Sequence, residues 1–275
     1  MNIKLTQNLH THTTYCDGKN TPEELILEGL EKGFTSIGFS AHTLTPFVSW
    51  YCMTEENTIA YKKEIRRLKE KYKGVMDVYL GAEQDYFSID DLDDYEYVIG
   101  SVHYLNNTCN DDEIDIKDPK VLIDRIDRFY DGNPLALARK YYELVALLPS
   151  KLSKLDVIGH YDLILKSSEI EEVIDTKNPT YRKYALDSME YLSKKGYIFE
   201  VNTGAVARGI RSNPYPESWL LKHLREFNGK IVITSDCHYK EKLDFYFEQA
   251  IEYVKSCGFN EVCVFNGKSF DLKKI

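Results

Sequence analysis

Tyr97-Val98-Ile99-Gly100-Ser101-Val102-His103 is an apolar run that ends on a histidine, and its reading decides the fold. The run shows no alternation of polar and apolar residues, as expected of a strand buried on both faces of a parallel sheet. The same pattern recurs along the chain. Ser36-Ile37-Gly38-Phe39 leads to Ala41-His42, Val75 to Leu80 leads to Gly81-Ala82-Glu83, and Asp156-Val157-Ile158-Gly159 leads to His160. Tyr197 to Val201 leads to Asn202, and Lys230 to Thr234 leads to Ser235-Asp236-Cys237-His238. Near the start, Asn8-Leu9-His10-Thr11-His12 sets two histidines two residues apart, an arrangement that puts both on one side only if the backbone is extended.

Between these runs lie helix signals. Thr21-Pro22-Glu23-Glu24 predicts a helix start, with Thr21 as N-cap, Pro22 in the first helical position and Glu24 closing a capping box. Further helices are expected over about 56–72, 180–195, 217–227 and 242–257. Two more, over about 119–130 and 134–148, fall in a long insertion from Tyr104 to Lys154, and the run 261–265 closes the chain. Strand and helix alternating about seven times predict an α/β fold with a parallel sheet wound by helices. No linker or shift of composition divides residues 1–275, so a single domain is expected.

Hydrophobic residues make up 43% of the 275-residue chain, enough for a large core, and the net charge of −9 argues against a binder of nucleic acid through a broad basic surface. The six cysteines, Cys16, Cys52, Cys109, Cys237, Cys257 and Cys263, show no Cys-x-x-Cys spacing and fit reduced thiols of a cytoplasmic protein. No leader-like segment opens the chain and no run of 18 apolar residues follows, so neither secretion nor a membrane partner is expected. On that ground the sequon Asn106-Asn107-Thr108 is discarded. Asp90-Asp91-Leu92-Asp93-Asp94 lacks the glycine and terminal glutamate of a calcium loop and reads as a solvated turn.

The residues that follow the apolar runs are of one chemical kind. His10, His12, His42, His103, His160 and His238 are six of the seven histidines, and all six stand at strand ends, where β/α barrels build their active sites. His223 is the exception, mid-helix between Lys222 and Arg225, and reads as part of a solvated face. Asp17, Glu83 and Asp236 add carboxylates, giving nine candidate ligands. A single four-coordinate catalytic ion needs about three protein ligands and a water. Nine therefore fit two or three divalent ions sharing a carboxylate, an arrangement that points to hydrolysis at phosphorus.

His10-Thr11-His12, Asp17-Gly18, Ser40-Ala41-His42, Gly81-Ala82-Glu83, Gly100-Ser101-Val102-His103, Gly159-His160 and Ser235-Asp236-Cys237-His238 resemble the successive motifs of the polymerase and histidinol phosphatase (PHP) superfamily. Ile99 to Tyr104, Glu200-Val201-Asn202-Thr203 and the insertion look most like its histidinol-phosphate phosphatase branch. Ala41 departs from the Ser-Asp-His common in that branch, so any role of that carboxylate is missing here. The resemblance implies a distorted (β/α)7 barrel and three divalent ions, with zinc, iron and manganese all open. His10, His12, Glu83 and Asp236 would hold the first ion. Glu83 would bridge to a second on His103 and His160, and Asp17, His42 and His238 would hold the third. The implied activity is hydrolysis of L-histidinol phosphate, a step of histidine biosynthesis, by direct attack of a hydroxide bridging the first two ions. Asp17 or His238 would protonate the leaving alkoxide.

The small phosphate ester needs a cation as well. Arg208 and Arg211, in Gly204-Ala205-Val206-Ala207-Arg208-Gly209-Ile210-Arg211 after the sixth strand, are the candidates, and Asn202 either orients substrate or caps the turn. Asp85, Tyr86, Tyr104 and Tyr161, adjacent to ligand positions, are candidates for reading the ammonium and imidazole of the substrate. Two alternatives stand beside this reading: a PHP-type phosphoesterase acting on nucleotides or nucleic-acid ends, and a non-catalytic metal-binding protein.

Overall fold

The structure, a computed structural model, describes residues 4–48, 50–107 and 113–275; Thr108 of the sequon and Cys109 lie outside the described residues. Seven parallel strands pair in sequence order: β1 (Gln7–Asn8), β2 (Ser36–Phe39), β3 (Asp77–Asp85), β4 (Tyr97–Ser101), β5 (Val157–Ile158), β6 (Ile198–Asn202) and β7 (Lys230–Thr234). Beyond the strand ends, Thr11 and Cys237 form a parallel bridge, the His12 amide donates to the Cys237 carbonyl (2.8 Å) and the Cys237 amide to the His10 carbonyl (3.0 Å). First and last strands thus meet at their C-terminal ends, and the result is a distorted, nearly closed (β/α)7 barrel.

Among the described residues, eight α-helices accompany the strands: α1 (Pro22–Glu31), α2 (Glu55–Lys71), α3 (Pro119–Phe129), α4 (Pro134–Lys151), α5 (Pro179–Lys194), α6 (Gly204–Ala207), α7 (Ser218–Glu226) and α8 (Phe247–Ser256). The Thr21–Glu24 capping box is present at α1, and α3 and α4 form the insertion between β4 and β5. β3 runs further than the apolar run alone predicts. Its first half, Asp77–Leu80, pairs with β2, and its second, Gly81–Asp85, pairs with β4, so one strand serves two neighbours displaced along its length. α8 starts later than expected because Lys240–Lys242 forms a 3-10 turn and Tyr246 takes φ 66° before it. The five described cysteines are free thiols, and no helix among the described residues is long and apolar enough to cross a membrane.

The core has two layers. Most apolar side chains lie between barrel and helices, while Leu9, Tyr79, Tyr97, Ile99, Val157, Ile198 and Val232 fill the barrel interior with Cys263 and Phe265. The last two belong to an antiparallel hairpin, β8 (Glu261–Phe265) with β9 (Phe270–Lys274), that closes the N-terminal end of the barrel. The Gln7 side chain acts there as a surrogate strand, donating to the Phe265 carbonyl and accepting from its amide, both at 2.8 Å. This hairpin was legible only as a terminal apolar run, because β9 (Phe-Asp-Leu-Lys-Lys) is half-buried or exposed along its length.

Tyr97 shapes the barrel. Its hydroxyl donates to the Leu9 carbonyl, and its ring lies where a Cβ on Gly81 would stand 2.2 Å from ring carbon, and one on Gly38 2.3 Å from the phenol oxygen. Glycine is required at both positions because backbone and ring share the space. Gly81→Ala is expected to cost about 1–3 kcal/mol through overpacking, seen as a lower urea midpoint at unchanged slope. An unchanged midpoint would show that the ring gives way.

Candidate active site

The hairpin covers the N-terminal ends of the strands, and the opposite face, at their C-terminal ends, carries the histidines. Past β1 the chain stays extended, so His10 and His12 share one side while Thr11 turns to the sheet, its hydroxyl donating to the Gly38 carbonyl (2.8 Å). The turn that follows doubles back on itself. Gly18 lies so close to the His12 backbone that a Cβ would be 2.3 Å from its carbonyl carbon. This contact lets Asp17 return over His12, and the Lys19 amide fixes the turn by donating to the His238 carbonyl (2.9 Å). After β7, Asp236 takes φ 47°, a left-handed conformation uncommon for a residue with a side chain.

Glu83 is the centre of the constellation. Its Oε2 lies 3.1 Å from His10 Nε2, 3.5 Å from His12 Nε2 and 2.9 Å from His42 Nδ1. Its Oε1 lies 2.9 Å from His160 Nε2 and 3.5 Å from His103 Nε2, and accepts from the Ser101 hydroxyl at 2.8 Å. Five imidazoles therefore surround one carboxylate, three on one oxygen and two on the other. Asp236 joins through Oδ1, 3.2 Å from His12 Nε2 and 3.8 Å from His10 Nε2. Asp17 Oδ2 lies 3.0 Å from His238 Nε2, and Asp17 Oδ1 lies 3.7 Å from His12 Nδ1 and 3.9 Å from His42 Nε2.

All nine expected ligand side chains thus converge. Three sets have ligand atoms within 4.8 Å of one another: His12, Asp17, His42 and His238; His10, His12 and Glu83; and His42, Glu83 and His103. They overlap at His12, His42 and Glu83 and hold seven of the nine; His160 joins them through Glu83 and Asp236 through His12. Buried polar atoms are normally hydrogen-bonded. Here His10 Nε2, His12 Nε2, Asp17 Oδ1 and Glu83 Oε2 are buried without such a partner. Lone-pair donors of mixed imidazole and carboxylate type facing one another fit divalent cations such as zinc, iron or manganese.

The charges agree. Burial opposes ionisation of Glu83, but His42 and His10 hold it well below the usual carboxylate range. Asp236 is held low against burial by Arg208 and His10, and Asp17 likewise by His238 and His42. Burial, with His238 and His42 nearby, drops His12 to about 3, which leaves its ring neutral and able to ligate.

Behind the cluster stands Glu200, which sequence reasoning quoted only as part of a motif. It is fully buried in β6. Its Oε1 lies 2.5 Å from His10 Nδ1 and accepts from the Thr234 hydroxyl (2.6 Å), and its Oε2 accepts from the His160 amide (2.7 Å) and Asn202 Nδ2 (3.0 Å). A carboxylate on Nδ1 fixes the His10 tautomer so that Nε2 faces the cluster. The signal was present in the sequence: Glu200 is a charge inside the apolar run Ile198-Phe199-Glu200-Val201. Asp85 does similar work. It accepts from the His103 amide (2.6 Å) and lies 3.3 Å from His103 Nδ1.

A cavity of about 440 Å³ opens over the cluster, within the size range of small-molecule sites. Asp17, His42, Glu83, His103, His160, Asp236 and His238 line it together with Arg208. Arg208 is anchored by Asp236, Nη2 to Oδ2 at 3.0 Å. The other expected substrate contacts are not among the residues that line the cavity. Arg211 is buried, donates to the Leu165 carbonyl (2.9 Å) and lies over the Tyr215 ring (4.7 Å), so its guanidinium ties two loops together away from the cavity. Asn202 caps the turn at the Gly204 amide (2.8 Å). Tyr161 is buried and donates to the Ala185 carbonyl (2.5 Å), Tyr104 packs on Phe47 (5.1 Å) and Tyr86 on Phe87 (4.9 Å), none of them at the cavity. Asp85 supports His103 from outside it. Aromatic walls come instead from Trp50, Tyr51 and Tyr239, and charged ones from Lys19, Glu113, Asp115, Lys117 and Lys166. These sit on connecting loops, where no periodicity marks them. His223 pairs with Glu226 (2.9 Å) on the α7 surface, as expected.

The PHP domain profile matches residues 8–204, which hold seven of the nine converging side chains. The chain belongs to the PHP family. It is 26% identical over 276 residues to a Schizosaccharomyces pombe protein named "Probable histidinol-phosphatase", across 93% of this chain and 88% of that one. It is 26% identical over 267 residues to the Bacillus subtilis histidinol-phosphatase, across 88% of this chain and 97% of that one. Among solved structures, histidinol phosphate phosphatase of Lactococcus lactis, complexed with zinc, L-histidinol and phosphate, shares the fold. That match has a TM-score of 0.71 at 18% identity, over 98% of this chain and 100% of the other.

Proposed function

We propose that this PHP protein hydrolyses L-histidinol phosphate to L-histidinol and phosphate, with three divalent ions held by the nine clustered side chains. One observation carries the reading: both oxygens of the buried Glu83 carboxylate face separate groups of imidazoles, three on one and two on the other, as a carboxylate shared by two ions requires. The names of the relatives support the substrate, and the zinc of the Lactococcus lactis complex supports the metal class. Free cysteines fit a cytoplasmic location.

When bound, divalent ions in such a site supply positive charge to the transferring phosphoryl group and activate water at neutral pH. The protein's own part is positioning. Arg208, held by Asp236, offers its guanidinium to the phosphoryl oxygens and neutralises charge as the ester bond breaks. Asp17 and His238 lie at the more open edge of the cluster, with side chains 28% and 19% exposed against 1% for Glu83. From that edge one of the two, 3.0 Å apart, would pass a proton to the departing oxygen. Trp50, Tyr51 and Tyr239 present flat faces to the imidazole of the leaving group.

Phosphate release from L-histidinol phosphate, nucleoside monophosphates and a short single-stranded oligonucleotide, each with Zn²⁺ or Mn²⁺, tests this reading. Turnover of histidinol phosphate well above the others is expected. Preference for the oligonucleotide would transfer the protein to the nucleic-acid class, and no turnover at all would leave a non-catalytic metal protein.

A further inference from the structure

The insertion begins with a segment that lines the cavity by alternation. Glu113, Asp115 and Lys117 face the cavity, while Ile114 and Ile116 between them are buried in the core. Alternate residues of an extended segment point to opposite sides, so the apolar pair fixes which side chains the cavity receives. The segment is also pinned to the metal-binding strand ends. The Ile114 amide donates to the His103 carbonyl (2.7 Å), and Tyr104 and Glu113 form an antiparallel bridge.

Its two carboxylates differ in their partners. Asp115 is ion-paired with the Lys166 ammonium, a buried lysine that follows the 3-10 turn Leu163–Leu165 after β5. No salt bridge joins Glu113 to a lysine or arginine of the described residues, although His103, Arg125 and Lys166 lie near enough to attract its charge. A half-buried carboxylate lining a cavity beside its neutralised neighbour is a receptor for a cation brought by a ligand.

We propose that Glu113 selects the leaving group, receiving the ammonium of an amino-alcohol phosphate whose phosphoryl end lies at Arg208 and the clustered histidines. The inference rests on the phosphatase reading and adds to it the charge that the leaving group must carry. Lys166 holds Asp115 and the segment in place, so that Glu113 is presented at a fixed position.

The test uses a matched pair of simple esters, 2-aminoethyl phosphate and ethyl phosphate, beside L-histidinol phosphate. The wild-type protein is expected to favour the amine in kcat/KM. Glu113→Gln should reduce that ratio by about tenfold, mainly through KM, and Glu113→Lys by more, while Glu113→Asp should keep part of it. An unchanged ratio in both Glu113→Gln and Glu113→Lys would overturn the proposal, as would a wild-type protein indifferent to the amine. Amine preference without turnover of L-histidinol phosphate would overturn only the substrate assignment and leave Glu113 as the selector.

Discussion

Glu83→Ala is expected to lose metal and activity together, with kcat/KM for L-histidinol phosphate down by about 10³-fold or more. The reason is positional. Glu83 faces five histidines with its two oxygens, His10, His12 and His42 on one side and His103 and His160 on the other. Its removal leaves each group of imidazoles short of a carboxylate and leaves buried nitrogens unpaired. Metal content by elemental analysis and phosphate release, measured on the same preparation, check this. A variant that keeps either its full metal content or its activity would show that Glu83 does not join the two groups.

Glu200→Gln is expected to weaken metal binding or activity by about 10–100-fold, although Glu200 touches neither cavity nor substrate. The isosteric amide keeps the packing of β6. It removes the negative charge opposite His10 Nδ1, and it places an amide donor against either the His160 backbone amide or the Thr234 hydroxyl. His10 is then free to take the wrong tautomer. Titration of metal-free protein against a chelator of known affinity measures the effect. Since a merely structural lesion would lower the urea midpoint without changing metal affinity in the folded protein, the two readouts separate the roles. Unchanged affinity would mean that Glu200 only packs the barrel.

The metal-site candidates were legible because their placement obeys a topological rule: an apolar strand followed at once by a histidine or carboxylate, repeated around a barrel whose strand ends converge. That rule puts His42 and His238 on one face, and the resemblance to the PHP superfamily groups them at one ion. The cavity's other residues obey no such rule. Lys166 follows a short 3-10 turn, Trp50 and Tyr239 stand on loops, and Asp115 is on a segment whose alternation covers only a few residues. Arg208, the favoured candidate, and Arg211 stand three residues apart in one loop, and the structure turns the first to Asp236 and the second to Leu165 and Tyr215. The hairpin that closes the barrel escaped notice because its second strand is mostly exposed, and the reach of β3 escaped because its second half pairs with a different neighbour from its first.

The proposed function requires that the nine side chains centred on Glu83 make one multinuclear metal site. Elemental analysis of protein purified without chelator, with ions counted per chain, tests it most directly. Three divalent ions of zinc, iron or manganese are expected per chain, lost together on prolonged chelation along with phosphatase activity. A fully active protein carrying no more than one ion per chain would contradict it.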